Sequence, residues 1–276
     1  MLNSDCLETL QHPVTTPFGD VMFTVVCKEF SGSPVIVIPG WGEPPEQANI
    51  FAETVSKNLR RTTIVPDYTR LCFRLRDFYA YKKQEKTQDS VCLTEHVRAN
   101  AIVNFLYKYY DNSIEKFHII AHSEGAITGI LLSENLPQQT ETVTLLAPAG
   151  IVKNTFYTLA KKFFYYFQHR YRQSLHNAAM HRYYTSSLRY IIRNILTLFL
   201  TAYGISKSDI ITKMGTLFTR YKIPIHIIAY NNDRLFSPEM LRHYTVGAII
   251  HNLDGTHVQN HINPEETLTI IKKIVT

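Results

Sequence analysis

A chain of 276 residues, 45% of them hydrophobic and 19% charged, holds enough apolar material for one large domain or two modest ones. With only 11 Gly and 12 Pro, this composition excludes a disordered, collagen-like or low-complexity chain. The formal net charge of +6 is the one unusual number and points toward an acidic partner.

Along the chain, short apolar runs alternate with helical patterns. Val21–Val26 alternates as a strand does and is expected to pair with the segment near Val14. Val35–Ile38 is a β-branched run that ends at Pro39-Gly40. Gln47–Leu59 has helical spacing, and Thr63–Val65 reads as a strand cut off by Pro66. The spacing predicts a helix over Thr94–Tyr110 with Thr94 as its N-cap. Phe117–Ala121 is a buried-type strand followed by a helix from Glu124 to Asn135, and Val143–Leu146 is a strand closed by Pro148. The C-terminal part predicts a strand at Ile225–Tyr230, a helix from Pro238, a strand at Ala248–Asn252 and a helix over Pro264–Ile274. Strands that are apolar on both faces, placed between helices, imply a mainly parallel sheet covered on both sides, an α/β architecture.

Between the strand at Val143–Leu146 and the one at Ile225–Tyr230 the composition changes. Lys153–Lys222 carries twelve Lys/Arg and one acid, Asp209, a net of +11, while the other residues hold 17 bases and 22 acids, a net of −5. The same stretch has nine Tyr and six Phe, and its apolar residues recur at helical spacing around Tyr157–Phe167 and Leu188–Leu200. It reads as a helical subdomain, residues 153–221, inserted into a core formed by 1–152 and 222–276.

The four cysteines, Cys6, Cys27, Cys72 and Cys92, are dispersed with no C-x-x-C pair, so free thiols in a reducing compartment are expected. The N-terminal stretch has neither a basic start nor an apolar run, and no secretory signal is expected. The most apolar segment, Ile191–Ile205, contains Arg193 and Asn194 and falls short of the ~20 residues of a spanning helix. A cytoplasmic location is the resulting expectation.

The segment Ala121-His122-Ser123-Glu124-Gly125 joins a strand to a helix in one sharp turn. Such a turn pushes a serine hydroxyl clear of the backbone, and the small flanks Ala121 and Gly125 let the helix pack close to the strand. It resembles the nucleophile elbow G-x-S-x-G of the α/β-hydrolase family, with Ala121 in place of the first glycine. Three further segments fall where that family places its catalytic parts. Asn231-Asn232-Asp233-Arg234 after a strand resembles the acid loop, Leu253-Asp254-Gly255-Thr256-His257 resembles the histidine loop, and Ile38-Pro39-Gly40-Trp41-Gly42 stands where the oxyanion loop lies. Pro39 replaces the histidine common in that loop.

The resemblance spans Val35 to about Ile274 and implies an α/β-hydrolase fold with the inserted helices as a cap. It also implies Ser123 as nucleophile, His257 as base and Asp233 as orienting carboxylate, with the backbone N–H groups of Trp41 and Glu124 as the oxyanion hole. Asp254 and Asp67 are rivals for Asp233, and the Trp41 indole is equally a packing group. The implied reaction is carboxylic ester hydrolysis through an acyl-enzyme. The same triad also serves lactone, thioester, amide or carbon–carbon hydrolysis, and a non-catalytic ligand- or membrane-binding protein is the reading from another class.

No cofactor is expected. His257 and His261 have i, i+4 spacing, but no H-E-x-x-H or carboxylate partner accompanies them, so no metal is expected. The expected partner is a small ester or lactone, acyl or anionic in character, and not a nucleic acid, since no recognition motif is present. The basic insert has two readings, a cap core with a solvated face or a surface for anionic substrates and membranes.

Overall fold

The computed structural model describes residues 12–74, 76, 93–110, 115–152, 155–244 and 247–275. Cys6, Cys92, the chain up to residue 11 and the start of the insert at Lys153 lie outside them. Cys27 is buried and Cys72 exposed, neither in a disulfide.

Among the described residues, eight strands form one sheet in the order β1-β2-β4-β3-β5-β6-β7-β8. The opening hairpin, β1 (His12–Thr16) and β2 (Gly19–Val26), sets Val14 opposite Val21, and β2 runs antiparallel to β4 (Thr63–Asp67). From there β3 (Val35–Ile38), β5 (Phe117–His122), β6 (Thr140–Leu146), β7 (Ile225–Tyr230) and β8 (Ile249–Leu253) continue in parallel.

The period of two along each strand divides the core. Ile36, Ile38, Ile119, Ala121 and Val143 face one side, which α2 (Leu93–Tyr110) and α3 (Gly125–Asn135) cover. Val35, Val37, Ile120 and Ile228 face the other, covered by α1 (Pro45–Leu59) and α10 (Glu265–Val275). Both faces are thus apolar, which is why the strands read as continuous hydrophobic runs.

Two local expectations are corrected. β4 does not stop at Pro66 but runs on to Asp67, with Pro66 paired to Phe23. The reason lies in the register. β3 reaches only Thr63 and Ile64, so beyond Ile64 the strand is paired on one side alone and the missing N–H of proline breaks no ladder. Thr94 is not an N-cap either, because α2 already includes Leu93 and the buried Thr94 hydroxyl donates to the Glu95 carboxyl.

Among the described residues, four helices stand between β6 and β7, α4 (Phe156–Ser174), α5 (Ala178–Arg193), α6 (Ile195–Lys207) and α7 (Ile211–Tyr221). Thr155 caps α4 through a 3.1 Å bond from the Thr158 N–H to its hydroxyl. Tyr183 and Tyr184 of α5 pack on Val258, in the loop before α9 (Gln259–Ile262), so the insert rests on the loop that carries His257. The remaining short helix, α8 (Pro238–Tyr244), follows β7. No helix among the described residues is long and apolar enough to cross a membrane.

Candidate active site

β5 ends at His122, and Ser123 turns the chain into α3 with a positive φ of 51°. A left-handed conformation is strained for a residue with a Cβ and persists only where its surroundings over-determine it. Here the Ser123 N–H donates to the Leu146 carbonyl at 2.8 Å, and the Ser123 carbonyl accepts from Ala126 at 3.1 Å and Ala149 at 2.9 Å.

Close packing fixes the flanks. A Cβ on Gly125 would stand 2.6 Å from the Pro39 carbonyl oxygen, a contact that admits no side chain. The departure at Ala121 is absorbed across the interface, because a Cβ on Gly129 would approach the Ala121 Cβ to 3.1 Å.

Asp233 lies in the turn after β7. That turn is tied to the histidine loop by backbone bonds from Asn231 to Leu253 at 2.8 Å and from Asn232 to Gly255 at 2.9 Å. One oxygen of its buried carboxylate accepts the N–H groups of Leu235 (2.7 Å) and Phe236 (3.2 Å). The other lies 2.8 Å from His257 Nδ1, and His257 Nε2 lies 2.9 Å from Ser123 Oγ. A carboxylate only accepts, so Nδ1 carries the ring proton and Nε2 turns its lone pair to the serine hydroxyl. Ser123, His257 and Asp233 thus form one hydrogen-bonded line, all three buried.

The rival carboxylates are engaged elsewhere. Asp254 accepts from the Asn231 side chain at 2.7 Å, and Asp67 accepts from the Thr69 N–H at 2.8 Å. The backbone N–H groups of Trp41, which lines the same pocket as Ser123, and of Glu124, the next residue, have no acceptor among the described residues. Trp41 is half-buried, packs its ring 4.1 Å from that of Phe163 at a tilt of 48°, and donates its indole N–H to the Leu198 carbonyl at 3.0 Å. The Glu124 side chain is buried against Arg98. Nearby Glu95, which shares that single guanidinium, has its pKa pushed up to about 8, by burial first and then by Glu124.

A second buried cluster was not read from the sequence. Glu43 Oε2 lies 2.9 Å from His122 Nδ1 and accepts the Gly40 N–H at 2.8 Å, while Glu43 Oε1 lies 3.1 Å from His261 Nε2. His122 Nε2 lies 2.9 Å from the carbonyl oxygen of His257. Both nitrogens of His122 therefore face pure acceptors, and only the doubly protonated ring satisfies both. Burial works against that charge, yet Glu43 and the His257 carbonyl raise the His122 pKa above its ordinary value. Burial likewise opposes ionisation of Glu43, but His261 and His122 outweigh it and hold the carboxyl far below its ordinary range.

Glu43, His122 and His261 have the residue types of a metal site, with donor atoms within 4.8 Å of one another. Those donors are engaged with one another and with Gly40. His261 thus pairs with Glu43 and not, as the i, i+4 spacing allowed, with His257. The cluster ties the Gly40–Gly42 loop, the elbow and the histidine loop together. No local signal marks it, since Glu43 and His261 are 218 positions apart.

No known protein-family model and no curated protein sequence matches this chain. Its fold does match solved structures along nearly its whole length. An α/β hydrolase enzyme from a Medee basin deep-sea metagenome library superposes with a TM-score of 0.66 at 16% identity, over 94% of this chain and 95% of that one. A serine hydrolase from the polyaromatic-hydrocarbon-degrading bacterium Cycloclasticus zankles gives 0.67 at 14% identity, over 96% of each chain. A thermophilic esterase from Thermogutta terrifontis gives 0.66 at 12% identity, over 96% and 98%. With the sheet order and crossovers above, these likenesses show that the chain has the α/β-hydrolase fold.

Proposed function

We propose that this protein is a serine hydrolase that cleaves carboxylic esters through an acyl-enzyme. The line from Asp233 through His257 to Ser123, at 2.8 and 2.9 Å, is the observation that carries the reading. A serine hydroxyl attacks a carbonyl only as its proton leaves, and His257 Nε2 is in place to take it. Asp233 holds the tautomer and balances the charge that the ring then gains. The oxyanion of the tetrahedral intermediate falls to the N–H groups of Trp41 and Glu124, each such donor being worth ~10²–10³ in rate. Collapse expels the alcohol, which takes the proton from His257. A water molecule, deprotonated by the same ring, then releases the acid.

The inserted helices, residues 153–221, serve as the cap. Phe163, Tyr166, Phe167, Tyr184 and Ile191 from the insert line one pocket with Ser123 and His257. That apolar and aromatic lining favours an acyl or aromatic ester over a highly polar one.

A fluorophosphonate probe is expected to label the folded protein at Ser123, and Ser123→Ala is expected to abolish both labelling and turnover of short p-nitrophenyl esters. A folded wild type that neither takes the label nor turns over these esters would overturn the reading in favour of a ligand-binding protein.

A further inference from the structure

Among the described residues, ten of the thirteen exposed large hydrophobic side chains lie between Tyr157 and Phe218, inside the insert. Five of them, Leu188, Ile192, Ile195, Leu196 and Phe199, follow one another at i, i+4, i+7, i+8 and i+11. Leu188 and Ile192 stand four apart on α5, and Ile195 and Phe199 four apart on α6, so each pair shares one side of its own helix. Asn194, with a non-helical φ of −119°, separates α5 from α6, so the apolar side chains form two short consecutive faces, Leu188 and Ile192 on α5 and Ile195, Leu196 and Phe199 on α6. Exposure along them is large, 65% at Ile192 and at Ile195 and 58% at Phe199. The opposite side of α6 is already committed to the protein through Leu198, Thr201 and Ile205. Apolar surface of this exposure in water is itself unfavourable and implies something that covers it.

Charge tells what covers it. Arg189 and Arg193, one position after Leu188 and Ile192, are exposed beside these side chains, and neither has a carboxylate partner among the described residues. Lys153–Lys222 as a whole carries +11 with Asp209 its only acid. Apolar side chains flanked by arginines, on a helix without acids, fit a surface that is anionic at its face and hydrocarbon beneath.

We propose that the α5–α6 face docks on an anionic lipid bilayer, with Leu188, Ile192, Ile195, Leu196 and Phe199 among the acyl chains and Arg189 and Arg193 at the headgroup phosphates. The face borders the pocket, since Ile191, next to Ile192, lines it together with Ser123. Docking would therefore set the pocket rim at the lipid surface. The inference concerns the surface alone and does not depend on the chemistry at Ser123.

The test is co-sedimentation of the full chain with vesicles of phosphatidylcholine containing phosphatidylglycerol, and with vesicles of phosphatidylcholine alone, at low and high salt. Each basic residue at an anionic surface tightens binding about fivefold, so Arg189→Gln/Arg193→Gln is expected to weaken it about 25-fold. Ile192→Glu/Ile195→Glu is expected to weaken it at least tenfold, with the far-UV spectrum unchanged. Wild-type binding that requires phosphatidylglycerol and weakens with salt supports the proposal. Failure to bind, or equal binding to both vesicle types, overturns it. So does a dimer in light scattering that Ile192→Glu/Ile195→Glu dissociates, because a second copy would then own the face.

Discussion

Replacing Glu43 by Gln keeps the shape of the side chain and removes its charge, and the hydrogen-bond inventory leaves no neutral arrangement that works. If the amide oxygen takes the place of Oε2, it still accepts from Gly40 and from His122 Nδ1, but the His122 imidazolium is then buried without a counter-ion. If His122 gives up the Nε2 proton instead, that nitrogen turns a lone pair to the His257 carbonyl oxygen, 2.9 Å away. If the amide flips, its NH₂ meets the Gly40 N–H donor to donor. Each outcome breaks one side of a buried pair, a change that costs about 3–5 kcal/mol. At about 2–4 °C per kcal/mol for a chain of this size, Tm should fall by roughly 6–20 °C. The pH dependence supplies the sign. The Glu43 pKa is lowered on folding, so its contribution is full above the ordinary value of 4.5 and is lost as pH falls below it. The His122 pKa is raised, so its contribution is full below the ordinary 6.5 and is lost as pH climbs through the raised value. In urea denaturation from pH 3 to 9, the stability difference between wild type and Glu43→Gln should therefore show a plateau bounded on both sides. A variant within 1 kcal/mol of wild type and with the same profile would refute the buried ion pair.

Asp233→Asn should lower kcat by about 10⁴ while the fold is retained, because an amide that donates to Nδ1 reverses the tautomer of His257; a loss below tenfold would remove Asp233 from the proposed triad. Glu95→Gln should leave stability unchanged below pH 4.5 and raise it by a few kcal/mol above pH 8, since a carboxyl whose pKa is raised to about 8 destabilises the fold as it ionises. Chemical denaturation at the two pH values checks this, and equal stability of the two proteins at pH 9 would contradict it. Gly129→Ala should destabilise by about 1–3 kcal/mol through its contact with the Ala121 Cβ, and Ala121→Gly in the same chain should restore most of the loss. Strictly additive effects in that double-mutant cycle would show that the two positions do not share the space.

The sheet was legible because its strands are apolar on both faces, a pattern that burial under two helical layers imposes and composition alone reveals. The elbow, acid and histidine segments were legible through their order along the chain, since each follows a readable strand. Asp233 could be preferred over Asp254 only on position. What separates them in space is the pair of N–H groups from Leu235 and Phe236 that turn the Asp233 carboxylate toward His257. Pro66 misled because its tolerance depends on where the neighbouring strand β3 stops, a fact of register rather than of sequence. The Glu43–His122–His261 cluster was invisible for a similar reason. Glu43 precedes a helix beginning with prolines and looks like any solvated acid, and only the sheet's crossovers bring it beneath His122.

The indole of Trp41 holds the Leu198 carbonyl on α6, and its ring lies against Phe163 on α4. The N–H proposed to receive the oxyanion belongs to the same residue. Backbone donor and insert are thereby one mechanical unit, in which the indole acts as a strut between α6 and the loop above Ser123. The position of α6 is therefore carried directly to the Trp41 N–H, and the insert and the proposed oxyanion donor share one geometry.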